Sequence, residues 1–167
     1  MPEDTPPNWG SIVERNAEQV FRVALRILGS VHDAEDVSQI VFTEALAIHR
    51  DQAVRNWTGL LVRLVSVRAI DLLRQRRHTL EINEADQISN IGPVDEAIGR
   101  EMAAWLRNAI RQLPEQQAVI FSLCCLENLD RNEVANLLET SPESVSTALC
   151  KARRRLMTQL TVFHEGH

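Results

Sequence analysis

Residues 130–160 read DRNEVANLLETSPESVSTALCKARRRLMTQL. Asp130 and Glu133 have the spacing of a capping pattern, in which the first side chain accepts from the third helical N–H and the second reaches back. A short helix to Leu138 follows from it. Ser141-Pro142 supplies an N-cap and a proline at the first helical position, where no N–H is required, and opens a longer helix to about Leu160. Along that helix Val145, Leu149, Ala152 and Leu156 share one face, which leaves Glu143, Ser144, Thr147, Lys151 and Arg154 on the other. A short helix, a tight turn and a longer basic helix make a helix-turn-helix. On DNA, Glu143, Ser144 and Thr147 at the helix start would face base edges, and Lys151, Arg153 and Arg154 would meet phosphates. The bland alternative is a helical hairpin that only packs.

Upstream, Pro114 ends a helix running from about Val94 to Leu113 and suits the first turn of another, Glu115 to Leu126. Residues 79–99, TLEINEADQISNIGPVDEAIG, lose helical periodicity, hold five acids and no base, and contain Gly92-Pro93. They read as an exposed acidic linker and domain boundary. Before the linker, Val13, Ala17, Val20, Phe21, Ala24 and Leu28 recur at helical spacing until Gly29 stops them. Ser30-x-x-Asp33 opens a second helix to about His49, with Val37, Ile40, Val41, Ala45 and Ile48 on one stripe. A third, Trp57 to His78, is apolar around most of its circumference and is expected at the centre. No segment alternates with period two. The expected fold is all-α: a disordered tail 1–8, a helical domain 9–78, the linker 79–99 and a second small helical domain 100–163.

The chain has 167 residues, 44% of them hydrophobic and 25% charged, the composition of a soluble globular protein. No run of about 18 apolar residues is present to span a membrane. The start, MPEDTPPNWG, lacks the basic and apolar stretches of a secretory signal, so a cytoplasmic protein is expected. Cys124, Cys125 and Cys150 are odd in number and show no CxxC spacing, which points to buried thiols rather than a disulfide framework or zinc site. The histidines are scattered, and no GxGxxG, Walker A or GxSxG motif occurs. No cofactor, no metal and no enzymatic activity are expected.

The formal charge is −5, yet it is unevenly spread. Residues 62–78 hold five Arg against Asp71 alone, and residues 144–160 hold Lys151, Arg153, Arg154 and Arg155 against no acid. One basic helix end is accounted for by the helix dipole; two on separate helices favour an anionic polymer. On the second helix the dipole explains Asp33 and Glu35, whereas Asp36, Gln39 and Glu44 continue past the first turn and suit a docking face for a basic protein. On the third, Arg63, Arg74 and Arg77 fall within about 60° at 100° per residue, with Trp57 near the start. Such a stripe with an aromatic suits single-stranded or distorted DNA, although a Trp such as Trp57 is by itself more often a core residue.

Taken in order, Asp33-Ala-Glu-Asp-Val-Ser-Gln39, Ile70-Asp-Leu-Leu-Arg-Gln-Arg-Arg77, Leu113-Pro-Glu115 and the closing helix-turn-helix resemble a sigma factor of the sigma-70 family, in its two-domain extracytoplasmic-function (ECF) form. The resemblance implies a dissociable subunit of bacterial RNA polymerase that directs promoter recognition and transcription initiation. It implies docking on the clamp of the largest core subunit through Asp33, Asp36, Gln39 and Glu44. Minus-10 DNA would meet Arg55, Asn56, Trp57, Arg63, Arg74 and Arg77. Minus-35 DNA would meet Glu143, Ser144, Thr147, Lys151, Arg153 and Arg154. Core polymerase and promoter DNA are the implied partners, with an anti-sigma factor as a further one and no membrane. The chain departs from the family pattern at Leu60 and Val67, where an aromatic and an Asn are usual, and at Ser146 and Ala148, where basic residues are common. A stand-alone helix-turn-helix regulator and a degenerate, protein-binding sigma-like chain stay open as alternatives.

Overall fold

The computed structural model describes residues 7–76 and 95–166. Its elements are α1 (Trp9–Leu28), α2 (Val31–Asp51), α3 (Trp57–Gln75), α4 (Asp95–Arg111), α5 (Glu115–Phe121) with a π-helical continuation (Ser122–Leu126), α6 (Arg131–Leu138) and α7 (Pro142–Glu165). No strand occurs among the described residues, so the fold is all-α. Most of the acidic segment 79–99, the tail 1–6 and Arg77 lie outside the described residues. Residues 95–99, assigned above to the linker, already belong to α4.

Local chemistry sets the helix ends. Asn8 accepts from the Ser11 N–H, Ser30 from Asp33 and Asn56 from Gly59, each satisfying an N–H that the first turn leaves without an intrahelical partner. Gly29 closes α1 in the left-handed conformation at φ 68°, which costs a glycine nothing. At α6 the capping box is complete: Asp130 Oδ1 accepts from the Glu133 N–H at 2.9 Å, and Glu133 Oε2 accepts from the Asp130 N–H at 2.8 Å. Asp130→Ala is therefore expected to cost about 1 kcal/mol and to lower Tm by about 2–4 °C. Differential scanning calorimetry checks this, and an unchanged Tm would mean that the box contributes nothing.

In the N-terminal unit Val20, Val23 and Ile27 of α1, Val37 and Val41 of α2, and Leu61, Val65 and Ile70 of α3 are buried together. The stripe expected on α1 is rotated: Ile12 and Asn16 are buried where Val13 and Ala17 are half-exposed. Asn16 is satisfied by donating to the Ile12 carbonyl at 2.8 Å and accepting from Thr58 Oγ1 at 2.7 Å. Ile40, expected inward, is 49% exposed and points away from that core. In the C-terminal unit Ala118, Ile120, Leu123, Val134, Val145, Leu149 and Ala152 form the buried centre. The thiols depart from expectation: Cys125 and Cys150 are exposed and Cys124 is half-buried. Cys124 packs against the core from the π-helical turn, whereas Cys125 and Cys150 face outward.

The two units pack against each other, α3 against α4, α5 and α6, and α1 against the π-helical turn. Gly59 is buried in the first turn of α3, and a Cβ there would lie 3.0 Å from Leu137 Cδ2 of α6. The glycine thus lets α6 approach α3. Arg26 Nη1 donates to the Leu126 carbonyl at 3.0 Å and to Glu127 Oε1 at 2.9 Å, with Arg22 Nε 3.9 Å from Glu127 Oε2. Arg107 lies over Gly29, and burial pushes its guanidinium below the ordinary arginine pKa.

Candidate functional site

All six residues expected to face minus-35 DNA, Glu143, Ser144, Thr147, Lys151, Arg153 and Arg154, are exposed on α7. The helix presents them because Val145, Ala148, Leu149, Ala152 and Leu156 are buried on the opposite face. Thr147 Oγ1 donates to the Glu143 carbonyl at 3.0 Å, and the Ser141 hydroxyl donates to Ser144 Oγ at 2.9 Å. The hydroxyls at the helix start are therefore engaged locally, while the Lys and Arg heads further along stand in solvent. Ala148 is 7% exposed, so a longer basic side chain at this place would have to leave the core. Ser146 accepts from Arg131 Nη1 at 2.8 Å. That contact adds Arg131, which the sequence reading missed, to the cations beside α7. Its place directly after the N-cap Asp130, at the start of the helix-turn-helix, was the available signal.

On α2 the docking set divides. Asp36 and Gln39 are exposed, and Asp36 lies 3.5 Å from His32 Nε2. Ile40, one turn beyond Asp36, adds an exposed apolar side chain to the same surface. Glu44 is half-buried and accepts from Arg68 Nε at 2.9 Å; that hydrogen bond, with the attraction of Glu44 and Asp71, raises the Arg68 pKa. Asp33 is a correction. Expected to be exposed for docking, it is instead 2% exposed, and its carboxylate pairs with the Arg76 guanidinium at the end of α3, so it fastens α2 to α3.

The residues expected at minus-10 DNA are likewise dispersed. Arg55 and Arg63 are exposed. Asn56 is held as the N-cap of α3, where its side-chain oxygen accepts from the Gly59 N–H at 2.9 Å. Trp57 is half-buried, its ring 6.1 Å from Trp9 in an edge-on contact and 5.5 Å from His49. Arg74 does not stand beside Arg63 as an open cation: its Nη2 donates to the Leu113 carbonyl at 2.7 Å and its Nη1 lies 3.5 Å from Glu115 Oε2. The expected stripe is thus cut at Arg74, which is held by Leu113 and Glu115, and Arg77 lies outside the described residues. Among the described residues no group of His, Cys, Asp and Glu could hold a metal ion, and no helix is long and apolar enough to cross a membrane.

An all-helical chain with a capped, cation-bearing helix-turn-helix and a separate acid-bearing helix is the outline of a multi-contact DNA-binding protein. Sigma-70 region 2 matches residues 12–79, and Sigma-70, region 4 matches residues 103–156. The chain is 27% identical over 159 residues to the ECF RNA polymerase sigma factor SigE of Mycolicibacterium smegmatis, covering 92% of this chain and 62% of that protein. It is 25% identical over 165 residues to the ECF RNA polymerase sigma factor SigW of Bacillus subtilis, covering 91% of this chain and 88% of that one. The fold is similar to that of the extracytoplasmic function sigma factor SigJ of Mycobacterium tuberculosis, with a TM-score of 0.50 at 22% identity over 88% of this chain and 52% of that one. The chain belongs to the sigma-70 family, in its ECF group.

Proposed function

We propose that this chain is a sigma factor that binds core RNA polymerase and directs it to promoters in the cytoplasm, and that it catalyses no reaction of its own. The observation that carries this is the pairing of two exposed surfaces in one chain. One is Asp36, Gln39 and Ile40 on α2; the other is the cationic outer face of α7. Residues 9–78 serve as the polymerase-docking and minus-10 unit, and residues 100–163 as the minus-35 unit. Weak DNA contact by either unit suffices when polymerase tethers both, since linked modules gain effective concentration. Arg55 and Arg63 are accessible for minus-10 DNA in this arrangement. Arg74 would first have to leave Leu113 and Glu115.

Co-elution with purified core polymerase in gel filtration tests the reading. Asp36→Arg with Gln39→Ala is expected to weaken that complex by roughly 1–3 kcal/mol, about 5- to 150-fold, with an unchanged circular dichroism spectrum because both side chains are exposed. Undiminished co-elution of this double variant would remove the docking assignment. A free homodimer that retains duplex DNA alone and ignores polymerase would replace the whole reading with that of a stand-alone regulator.

A further inference from the structure

A groove of about 470 Å³ runs between the π-helical turn, the start of α6 and the outer side of α7. Its walls bring Cys124, Leu129, Ser146 and Cys150, which the DNA and polymerase surfaces do not use, together with Arg131 and Arg153 at the edge of the cationic face of α7. The volume lies within the range of small-molecule sites, about 300–1,000 Å³. Its contents are two thiols, two guanidiniums, a hydroxyl and an apolar floor. Arg131 is oriented by its 2.8 Å hydrogen bond to Ser146 Oγ. Asp130 also borders the groove, but its carboxylate is engaged by the Glu133 N–H in the cap of α6.

We propose that this groove is a thiol-modification site in which Cys150 exchanges with a low-molecular-weight disulfide that carries carboxylates, Arg131 and Arg153 holding the carboxylates. The thiolate is the nucleophile in such exchange, and exposed thiols among cations are the reactive ones. Cys150 is exposed and lines the groove together with Arg131 and Arg153. Cys124 is the poorer candidate: burial, then the neighbouring Cys125, pushes its thiol up, and the opposing pull of Arg153 and Arg131 does not offset this. Cys125 is exposed but does not line the groove.

In the step itself Cys150 loses its proton to water and its sulfur attacks one sulfur of the reagent. The Cys150–S bond to that half forms as the reagent's S–S bond breaks, and the other half leaves as a thiolate that is protonated by water. Cys150 is oxidised to a mixed disulfide and half of the reagent is reduced to a thiol. The adduct's carboxylates occupy Arg153, a cation that the DNA-binding reading gives to phosphate, and bring negative charge to that side of α7. This last consequence rests on the DNA-binding role assigned to α7 above.

The experiment treats the full chain with oxidised glutathione, an anionic disulfide, and in parallel with cystamine, a cationic one, and follows the adducts by intact mass and peptide mapping. Oxidised glutathione is expected to label Cys150 about tenfold faster than Cys125, a preference that two surface charge contacts can supply. Cystamine should show no such preference, and Arg131→Ala should remove most of it for oxidised glutathione. Cys150→Ser should abolish the principal adduct. Faster labelling of Cys125, an equal preference with both reagents, or an undiminished preference in Arg131→Ala would each overturn the site. The mapping makes no reference to polymerase, so its failure is separate from a failure of co-elution. Loss of duplex retention by the adduct, restored by dithiothreitol, is the expected consequence; unchanged retention would overturn the regulatory part.

Discussion

Arg76→Ala is expected to lower the stability of the protein by about 3 kcal/mol and its Tm by about 10 °C. The reason is the environment of Asp33. Its carboxylate is 2% exposed and meets the Arg76 guanidinium. Removing Arg76 would leave a buried carboxylate without its counter-charge, a loss of about 3–5 kcal/mol for a fully buried pair. The Arg76 side chain is 39% exposed, so water can partly replace it and the lower end of that range applies. Urea or thermal denaturation measures the effect. Adding Asp33→Ala to Arg76→Ala should recover much of the loss, since no unpaired charge then remains, and the double-mutant cycle should report a coupling well above that of a surface ion pair. Should Arg76→Ala leave the midpoint unchanged while polymerase binding disappears, Asp33 and Arg76 would belong to the docking surface after all.

The second large effect concerns α7. Lys151→Ala with Arg154→Ala is expected to weaken duplex binding by the full chain about 10- to 100-fold near 0.1 M salt. It should also flatten the slope of log K against log salt by about 2, because each lost phosphate contact ceases to release about 0.9 of a counterion. The loss should be the same for every DNA sequence, since phosphates carry no base information. Glu143→Ala and Thr147→Ala should behave oppositely, altering which minus-35 sequence supports run-off transcription by about 1–3 kcal/mol per contact with little change in salt slope. Fluorescence anisotropy across a salt series and transcription from randomised minus-35 elements separate the two behaviours. If Lys151 governed sequence preference while Glu143 and Thr147 were inert, α7 would enter the groove in the reverse sense.

Much of the architecture was legible because the interactions that carry it span four residues or fewer. The Asp130–Glu133 box, Ser141-Pro142 and the Gly29 stop each appear where the pattern places them, since a cap is made between near neighbours and needs no tertiary partner. The inward stripe of α7 follows from the 3.6-residue period, and with it the exposure of Lys151, Arg153 and Arg154. The helix-turn-helix and its charged face are therefore properties of the chain read in order.

The fate of individual polar side chains was settled by partners far away in sequence, which no local pattern encodes. Asp33 occupies a first-turn position that suits the dipole, but Arg76, 43 residues on, converts it from a surface acid into a buried strut. Arg74 lies on a basic stripe by periodicity, yet the Leu113 carbonyl 39 residues away takes its guanidinium. Ile40 matches the apolar period of α2 and is nevertheless exposed, because α1 and α3 cover only the neighbouring arc that holds Val37 and Val41. Cys124 and Cys150 share a groove only because the π-helical turn and α7 meet across the start of α6. Periodicity assigns a side chain to a face of its own helix; which other helix covers that face, and with what charge, is decided when the helices pack.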